Sequence, residues 1–540
     1  MFKVTNFSGK APKIAPRLLQ DSQAQIASNC LLENGQLRAW RASNDTGANT
    51  PVGTVTIYKL TSSIWLTFNT DVNVIRSPIS EDAYDRLYWT GATYPRYGSY
   101  ANITSGGGPY PGVSYRLGLP RPSKPTAAIS GTADPDTDPT SYAYTVTFVS
   151  QYGEESPPAL IENADIIQWY PGQTRTVTLP GQPTGSYALS GAKWRLYRTN
   201  ENGEFQFMVE LPFGTTTYVD AIAAENLGEV LPSQDWDAPP DDNAADHPEG
   251  QMKGLVAMAN GIFAGFTGKT VCFSEAFQPH AWPKEYQLTT MWDIVAICPT
   301  SDGLVVATEG KPYMVQGTDS ASMTMMEIDS SQACVSKRSM VDMGEFCVYA
   351  SPDGLVSAGP GGVELITQDL FTRQQWQALN PSSIHAYQWN GKYVMFYSNG
   401  VTSAGMVLDP DNENAVLTDI GFYANAGFTD LLSDKLYLLV GTDIYEFDAG
   451  SALTYVWKSK QFYNVRPYCP AAAKVDAETY PVTFRLYADE TLKHTEVVAS
   501  TNPFRLPAGY MARQFEFELE GTSDVNMVVV SPSMSDIDSV

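Results

Sequence analysis

The chain has few of the residue types from which metal centres and nucleophile sites are built. Its 540 residues include four histidines, none of which lies in a Ser/His/Asp or metal-binding pattern. They are His247, His280, His385 and His494. The six cysteines are scattered, with no CxxC pair and no zinc spacing to a histidine. We therefore expect no catalytic residue, no cofactor and no metal site, and a protein that is not an enzyme.

Long apolar runs are also lacking. No stretch approaches the roughly 18 apolar residues of a membrane-spanning helix, and the first ten residues lack the apolar core of a signal peptide. The sequence predicts no membrane insertion and synthesis in the cytoplasm. Cys272, Cys298 and Cys347 lie in apolar runs typical of strands, which predicts buried free thiols in a reducing compartment.

Basic residues are scarce. The chain has 34 Lys and Arg against 59 Asp and Glu, for a net charge of −25. Because DNA affinity comes mainly from neutralising phosphates, this balance excludes a conventional nucleic-acid-binding protein. It is compatible with a surface past which DNA slides without sticking.

What the chain has in quantity is glycine (42), proline (36) and tyrosine (30). With 43% hydrophobic and 12% aromatic residues, this composition favours a globular protein of short strands joined by tight turns. The length predicts about three to four domains. We expect an all-β fold.

Residues 1–50 carry the best helix signal. Asp21 can cap a helix in which Ala24, Ala27 and Leu31 share one face. We expect an extended arm and a short helix that act as a docking segment. The helix is interpreted either as an anchor against a partner or as a cover for the chain's own core.

Two strand-rich regions follow. Residues 51–125 predict the first strands of a β-propeller, at 64–68, 72–75 and 86–89, and end in a proline-rich linker. In residues 126–233, apolar residues alternate with smaller or polar ones as in the strands of a β-sandwich, and Asn202-Gly203 predicts a tight hairpin. The stretch 144–158 is similar to fibronectin type III modules, although any small immunoglobulin-like sandwich has the same pattern. We expect an inserted immunoglobulin/fibronectin III-like sandwich.

Residues 252–450 contain a repeat. Apolar strands begin at 262, 304, 346, 393 and 436, at spacings of 42 to 47 residues, and each is followed by a second strand. A period in the low forties with about four short strands is what one propeller blade needs. This region is predicted to form the main β-propeller blades, with a sixth unit supplied by the strands at 55–91.

Residues 451–540 predict a C-terminal antiparallel β region. Residues 482–487 and 514–519 alternate strictly, and 525–530 form a final apolar strand. Alternation turns three apolar side chains of 514–519 to one side and three glutamates to the other. These are Phe515, Phe517 and Leu519 against Glu516, Glu518 and Glu520.

Three motifs that suggest chemistry have a simpler interpretation. The segment 261–270 resembles a phosphate loop, but Phe263 stands where a glycine is needed, so a β-hairpin is predicted. Residues 301–303 and 351–354 resemble Asp boxes without their spacing or their tryptophan, and are read as turns. Residues 134–138 space three aspartates as calcium loops do, yet lack the central glycine and the bidentate glutamate, and are read as a solvated linker.

Several stretches carry a resemblance to a known family. At the N-terminus they are 9–19, 24–30 and 35–38; the others are 273–283, 504–510 and 515–520. With these stretches the chain resembles tail nozzle (tail tubular protein B-like) virion proteins of short-tailed bacteriophages. The resemblance implies a propeller-containing subunit in six copies around the tail axis, below the portal and adaptor.

The resemblance sets the functional expectation. We expect a virion tail protein, assembled in the host cytoplasm, whose hexameric ring continues the DNA channel and conducts the genome during ejection. Its expected partners are the tail adaptor above, tail fibres or spikes at the side, and genomic DNA that passes without specific binding. The alternative is a tail-borne carbohydrate-binding or depolymerising propeller that contacts the host surface.

Charge adds an expectation about the channel. A ring of subunits of charge −25 should have a repulsive or neutral lumen. More Asp and Glu than Lys and Arg should face the axis, supplied by loops or by strand faces such as Glu516, Glu518 and Glu520. The alternative is that acidity only keeps the subunit soluble.

Overall fold

The structure, a computed structural model, describes residues 1–134, 136–410 and 416–537. Strands account for 44% of the residues and helices for 7%. The predicted all-β class is therefore confirmed.

The strands of the first half of the chain are short and follow the alternating patterns of the sequence. They are β1 (Phe2–Val4), β2 (Ala24–Ser28), β3 (Cys30–Leu31), β4 (Arg38–Ala39), β5 (Asn44–Asn49), β6 (Thr56–Lys59), β7 (Trp65–Phe68), β8 (Asn73–Arg76), β9 (Leu87–Thr90), β10 (Arg96–Gly98), β11 (Tyr115–Arg116), β12 (Thr126–Ser130), β13 (Thr140–Tyr142), β14 (Tyr144–Val149), β15 (Ile167–Trp169), β16 (Thr174–Thr178), β17 (Lys193–Thr199), β18 (Phe205–Pro212), β19 (Thr217–Asp220), β20 (Lys253–Ala257), β21 (Phe263–Thr267), β22 (Thr270–Phe273) and β23 (Leu288–Thr289).

The second half continues in the same way. Its strands are β24 (Ile294–Thr300), β25 (Gly303–Thr308), β26 (Tyr313–Gln316), β27 (Thr324–Glu327), β28 (Val341–Asp342), β29 (Cys347–Ala350), β30 (Leu355–Gly359), β31 (Gly362–Leu365), β32 (His385–Trp389), β33 (Lys392–Ser398), β34 (Ser403–Asp409), β35 (Val416–Ile420), β36 (Ala426–Asp430), β37 (Lys435–Val440), β38 (Asp443–Glu446), β39 (Tyr455–Ser459), β40 (Phe462–Tyr468), β41 (Ala472–Ala477), β42 (Val482–Ala488), β43 (Thr491–Val498), β44 (Phe504–Arg505), β45 (Ala512–Gly521) and β46 (Val525–Ser531).

Helices are brief. The α-helices are α1 (Tyr100–Ile103), α2 (Arg373–Gln377) and α3 (Met534–Ile537). Short 3-10 turns lie at Pro16–Leu18, Asn163–Asp165, Ala224–Asn226, Ala259–Gly261, Lys284–Tyr286, Ser320–Ser322, Lys337–Ser339 and Pro381–Ser383.

The chain divides into two compact units. Unit 1 comprises residues 1–69, 300–314 and everything described from 327 onward, and unit 2 comprises 70–299 and 315–326. Of the five repeat strands, β21 lies in unit 2, whereas β25, β29, β33 and β37 lie in unit 1.

Unit 2 contains two antiparallel sheets of four consecutive strands, β8 to β11 and β20 to β23. They share a core that includes Tyr88, Tyr97, Phe263 and Trp282. The same unit contains two three-stranded sheets, β12-β16-β19 and β14-β17-β18, with β13 paired to β15. These enclose a core with Phe148 and Trp194 at its centre, where the two rings lie 4.3 Å apart.

Unit 1 contains a four-stranded sheet β28 to β31 and a second one, β36-β37-β38, whose fourth strand is β5 from the N-terminus. In both sheets the repeat strand, β29 or β37, takes the second position. One repeat differs from expectation. The strand predicted to follow β29 directly, at 363–366, is β31, and β30 lies between the two in sequence.

Most of the remaining strands of unit 1 form two packed sheets, while β3 pairs with β4 and β6 pairs with β7. A ten-stranded sheet runs β32-β33-β34-β35-β2-β39-β45-β42-β43, with β40 also on β45, and a smaller sheet runs β1-β46-β41-β44. Trp457, Phe484, Phe517 and Leu519 from the first sheet and Val528 from the second meet in one core. The strands predicted at 482–487, 514–519 and 525–530 are confirmed.

The short helix predicted in residues 1–50 is wrong. Ala24–Ser28 form strand β2, which pairs antiparallel with β39 and parallel with β35. A bulge between Ala24 and Ile26 shifts the register by one residue. Ala24 and Ala27 are therefore both buried although they stand three apart, a spacing that imitates one helical face.

Candidate functional site

Two consecutive glutamates, Glu154 and Glu155, are buried in unit 2 directly after β14, with 4% and 5% of their surfaces exposed. The turn before them has a glycine at φ +80°, Gly153, and the Ser150 hydroxyl accepts from the N–H of Glu154. Glu155 forms a bridge with Val149 in extended conformation. Successive extended residues point to opposite sides, so the two carboxylates enter different environments.

The Glu154 carboxylate faces the sheet β8 to β11. It accepts from Arg86 Nη1 at 3.0 Å, from the Tyr97 hydroxyl at 2.7 Å and from Ser150 Oγ at 3.2 Å. Arg86 also donates through Nε to Asp82 at 2.7 Å. Burial raises the pKa of Glu154 above its ordinary value, and the Arg86 charge opposes that shift.

The Glu155 carboxylate faces β17. It accepts from Arg195 Nη1 at 2.7 Å and from the hydroxyls of Tyr197 and Thr147 at 2.6 Å each. The backbone N–H of Glu155 donates to Nε2 of His280 at 3.3 Å. Burial, assisted by the Arg86 charge, lowers the pKa of His280 to about 3, so its ring stays neutral and can accept.

This cluster fixes structure more than it performs chemistry. Each carboxylate accepts from three side-chain donors, and Glu154, Glu155 and His280 are all buried, so none of them faces solvent where a substrate could bind. Glu154 connects the sandwich to β9 and β10, and Glu155 connects it to the loop of His280. Unit 2 is therefore braced through a pair of buried acids.

An open pocket of about 800 Å³ lies in unit 1. Its lining includes Asp302, Glu345 and Glu364, together with Phe346 and the glycine-rich turn 359–362. Among the described residues, no group of three or more His, Cys, Asp or Glu side chains is placed to hold a metal ion. The pocket is an acidic recess suited to a basic or polar group.

The motifs singled out in the sequence are turns and hairpins. β21 and β22 pair as an antiparallel hairpin, as predicted for 261–270. The Ser351 hydroxyl accepts from the N–H groups of Asp353 and Gly354, which confirms a turn there, and β25 opens directly after the turn at 301–302. In 134–138 the Asp134 carboxylate accepts from the N–H of Asp136; Pro135 lies outside the described residues.

The three glutamates of β45 are ion-paired, and the apolar residues between them are buried. Phe515, Phe517 and Leu519 are fully buried, as predicted. The opposite face is ion-paired as well: Glu516 contacts Lys458 at 2.6 Å, and Arg485 contacts Glu518 at 2.6 Å and Glu520 at 2.5 Å. Glu516 is 3% exposed and therefore buried, whereas Glu518 and Glu520 on the same face are partly exposed.

The predicted burial of the three cysteines in apolar runs is confirmed: Cys272, Cys298 and Cys347 are buried. Burial raises the pKa of Cys272 to about 12, which keeps it a thiol. Within the described parts of the chain, no helix has the length and apolar character needed to cross a membrane.

No pattern in the sequence pointed to the glutamate cluster. Glu154 and Glu155 lie in the stretch that is similar to fibronectin type III modules, but their partners Arg86, Arg195 and His280 come from distant positions. Two adjacent glutamates in a turn rich in Gly, Ser and Pro are normally solvent-exposed. Their burial could be predicted only if the arginines that pair with them were known.

The comparisons of this chain with known protein families and with curated proteins found no match.

Proposed function

We propose that this chain is a structural subunit of a bacteriophage tail, a nozzle whose ring continues the DNA channel below the portal and adaptor. The observation that carries the proposal is the position in the fold of the stretches that resemble tail nozzle proteins. Ala24 and Ala27 from the N-terminal stretches and Phe517 and Leu519 from the last stretch share one core of unit 1. The stretch 273–283 supplies the buried Trp282 and His280 of unit 2.

These residues are architectural, which favours a shared fold over a shared active site. Trp282 donates its indole N–H to the carbonyl of Pro279, and Trp457 donates to the carbonyl of Ser8 in the arm. Of the two interpretations of the arm, burial of Val4, Phe7 and Ala24 favours a cover for the chain's own core.

The proposal includes a β-propeller with an inserted fibronectin III-like sandwich. Supporting it, the sheets β8–β11, β20–β23 and β28–β31 are each built of four consecutive antiparallel strands, as blades are. The sheet β36-β37-β38 takes its fourth strand from β5, near the other end of the chain. A strand donated in this way is how a circular arrangement of blades can be closed.

The proposed role toward DNA is passive. The net charge of −25 disfavours phosphate binding, and each phosphate neutralised by the wall would slow ejection. Because Glu516, Glu518 and Glu520 are paired with Lys458 and Arg485, a repulsive lumen must be supplied by other acidic residues. The full chain should therefore not shift duplex DNA in an electrophoretic mobility assay at moderate salt.

The test is the position of the chain in a particle. Tailed particles from a lysate that contains this chain should show six copies around the tail axis by electron microscopy. Copies at the tail periphery, or tailed particles without the chain, would contradict the proposal.

The acidic recess with Asp302, Glu345 and Glu364 favours one alternative, a depolymerising tail protein, since glycosidases act through paired carboxylates. Release of reducing sugar from host surface glycan by the pure chain would support that alternative. Loss of this release in Glu345→Gln or Glu364→Gln would assign it to the recess.

A further inference from the structure

The sandwich within unit 2 carries an open groove that the nozzle role does not use. Two adjoining pockets of about 330 and 610 Å³ lie on the sheet β14-β17-β18 and share Glu210. Pockets of this size are typical of small-ligand sites.

The groove floor combines an aromatic pair with a charged pair. In the register of β17 and β18, Tyr197 lies opposite Phe207 and Arg195 opposite Glu210. Cross-strand partners project from the same face of a sheet. The Tyr197 and Phe207 rings meet edge to face with centroids 5.9 Å apart, and Phe207 is half-buried. A ligand on this floor therefore meets an apolar ring beside fixed hydrogen-bonding groups.

The charges of the floor are matched. Glu210 accepts from Arg195 Nε at 3.1 Å and from the ammonium of Lys193, and Arg195 also donates to Glu155. Two cations thus face two carboxylates, and Glu229 on the rim adds a negative charge. Such a floor does not attract phosphate or nucleic acid. Because the ion pairs already hold the polar groups in place, a ligand does not have to order them on binding.

We propose that this groove binds a neutral oligosaccharide. A pyranose ring has an apolar face that can lie on Phe207 and hydroxyl groups that can accept from Arg195 and donate to Glu210. Two pockets that share Glu210 provide room for more than one sugar unit. The inference does not rest on the tail-nozzle proposal, because it depends only on the groove of the sandwich and not on the particle in which the chain is assembled.

The test uses the full chain and three uncharged probes: maltotriose, cellotriose and tri-N-acetylchitotriose. At least one should show saturation transfer by NMR and a dissociation constant of about 1 mM or tighter by calorimetry. Phe207→Ala should weaken that binding about tenfold or more. Glu210→Gln, which keeps the side-chain shape but removes the charge, should also weaken it.

The matched control is Val219→Ala, on β19 of the opposite sheet, where Val219 is 55% exposed. It should bind the probe as the wild type does. Thermal unfolding of each variant verifies folding, and if Phe207→Ala unfolds, Glu210→Gln decides. Absence of binding for all three probes, or equal binding by the wild type and a folded groove variant, would overturn the proposal.

Discussion

At the scale of single residues, the molecule buries charged side chains in ion pairs whose carboxylates also accept hydrogen bonds from tyrosine hydroxyls. In the sandwich, Arg198 and Asp220 are both fully buried at their side chains, and the Tyr144 hydroxyl donates to Asp220 at 2.7 Å. Glu154 with Arg86 repeats the arrangement between the sandwich and β9. Removing one member of such a pair leaves the other charge buried without a partner, which costs more than the pair itself contributes.

Arg86→Met should therefore destabilise unit 2 strongly. The change leaves both Asp82 and Glu154 without their cation in a buried site. The expected loss is about 3–5 kcal/mol in the free energy of unfolding. Urea unfolding of the full chain, followed by tryptophan fluorescence, measures it.

The control for Arg86→Met is Lys124→Met. Lys124 pairs with Asp165 at the surface of the same unit, where water already solvates both groups. Its unfolding midpoint should match the wild type. An Arg86→Met chain as stable as the wild type would show that the cluster does not brace the unit.

At the scale of elements, the N-terminal segment contributes strands to three different sheets of unit 1. β1 pairs with β46, β2 lies between β35 and β39, and β5 completes the sheet of β36 to β38. Gly9 allows the arm to approach β35 closely, since a Cβ at this position would lie 2.5 Å from the backbone nitrogen of Leu417. The first fifty residues thus join elements that are synthesised some four hundred residues later.

Ala27→Asp should disrupt the packing of β2 between β35 and β39. Ala27 has no exposed surface and packs in the core of Trp457 and Phe517, so a carboxylate there is buried without a partner. The expected cost is several kcal/mol, seen as a large fall in the thermal midpoint of unit 1. Ala15→Asp, on an exposed part of the same arm, is the matched control and should change little. Equal midpoints for the two variants would contradict the placement of β2.

Elements with local signals were predicted well, and those that depend on distant pairing were not. The hairpins at 202–203 and 261–270 follow from turn residues between apolar runs. β2 was read as a helix because its bulge cannot be seen in sequence; it results from pairing with β39. The single expected propeller stays a prediction.

At the scale of the whole molecule, the sandwich has its own core. Every buried side chain recorded in this core lies within 126–233 except Leu119. A segment with a self-contained core is expected to fold alone.

A fragment of residues 119–233 should therefore unfold cooperatively in circular dichroism. Its Glu154 loses Arg86 but becomes solvated, so the lost ion pair does not leave a buried charge. Trp194→Ala in the same fragment removes the central ring and should abolish the transition, since a buried tryptophan contributes about 3–5 kcal/mol. A wild-type fragment without a cooperative transition would show that the sandwich depends on the rest of unit 2.

The sequence by itself determined the strand content, the repeat and the turns, because side-chain alternation and turn chemistry act between neighbours in the chain. Phe515, Phe517 and Leu519 are buried as their period of two requires. Only the tertiary structure decided that the glutamates between them are paired with Lys458 and Arg485, that β5 completes a sheet of β38, and that Glu154 meets Arg86. Each of these joins positions far apart in sequence, and which distant strands lie side by side is set by packing of the whole unit.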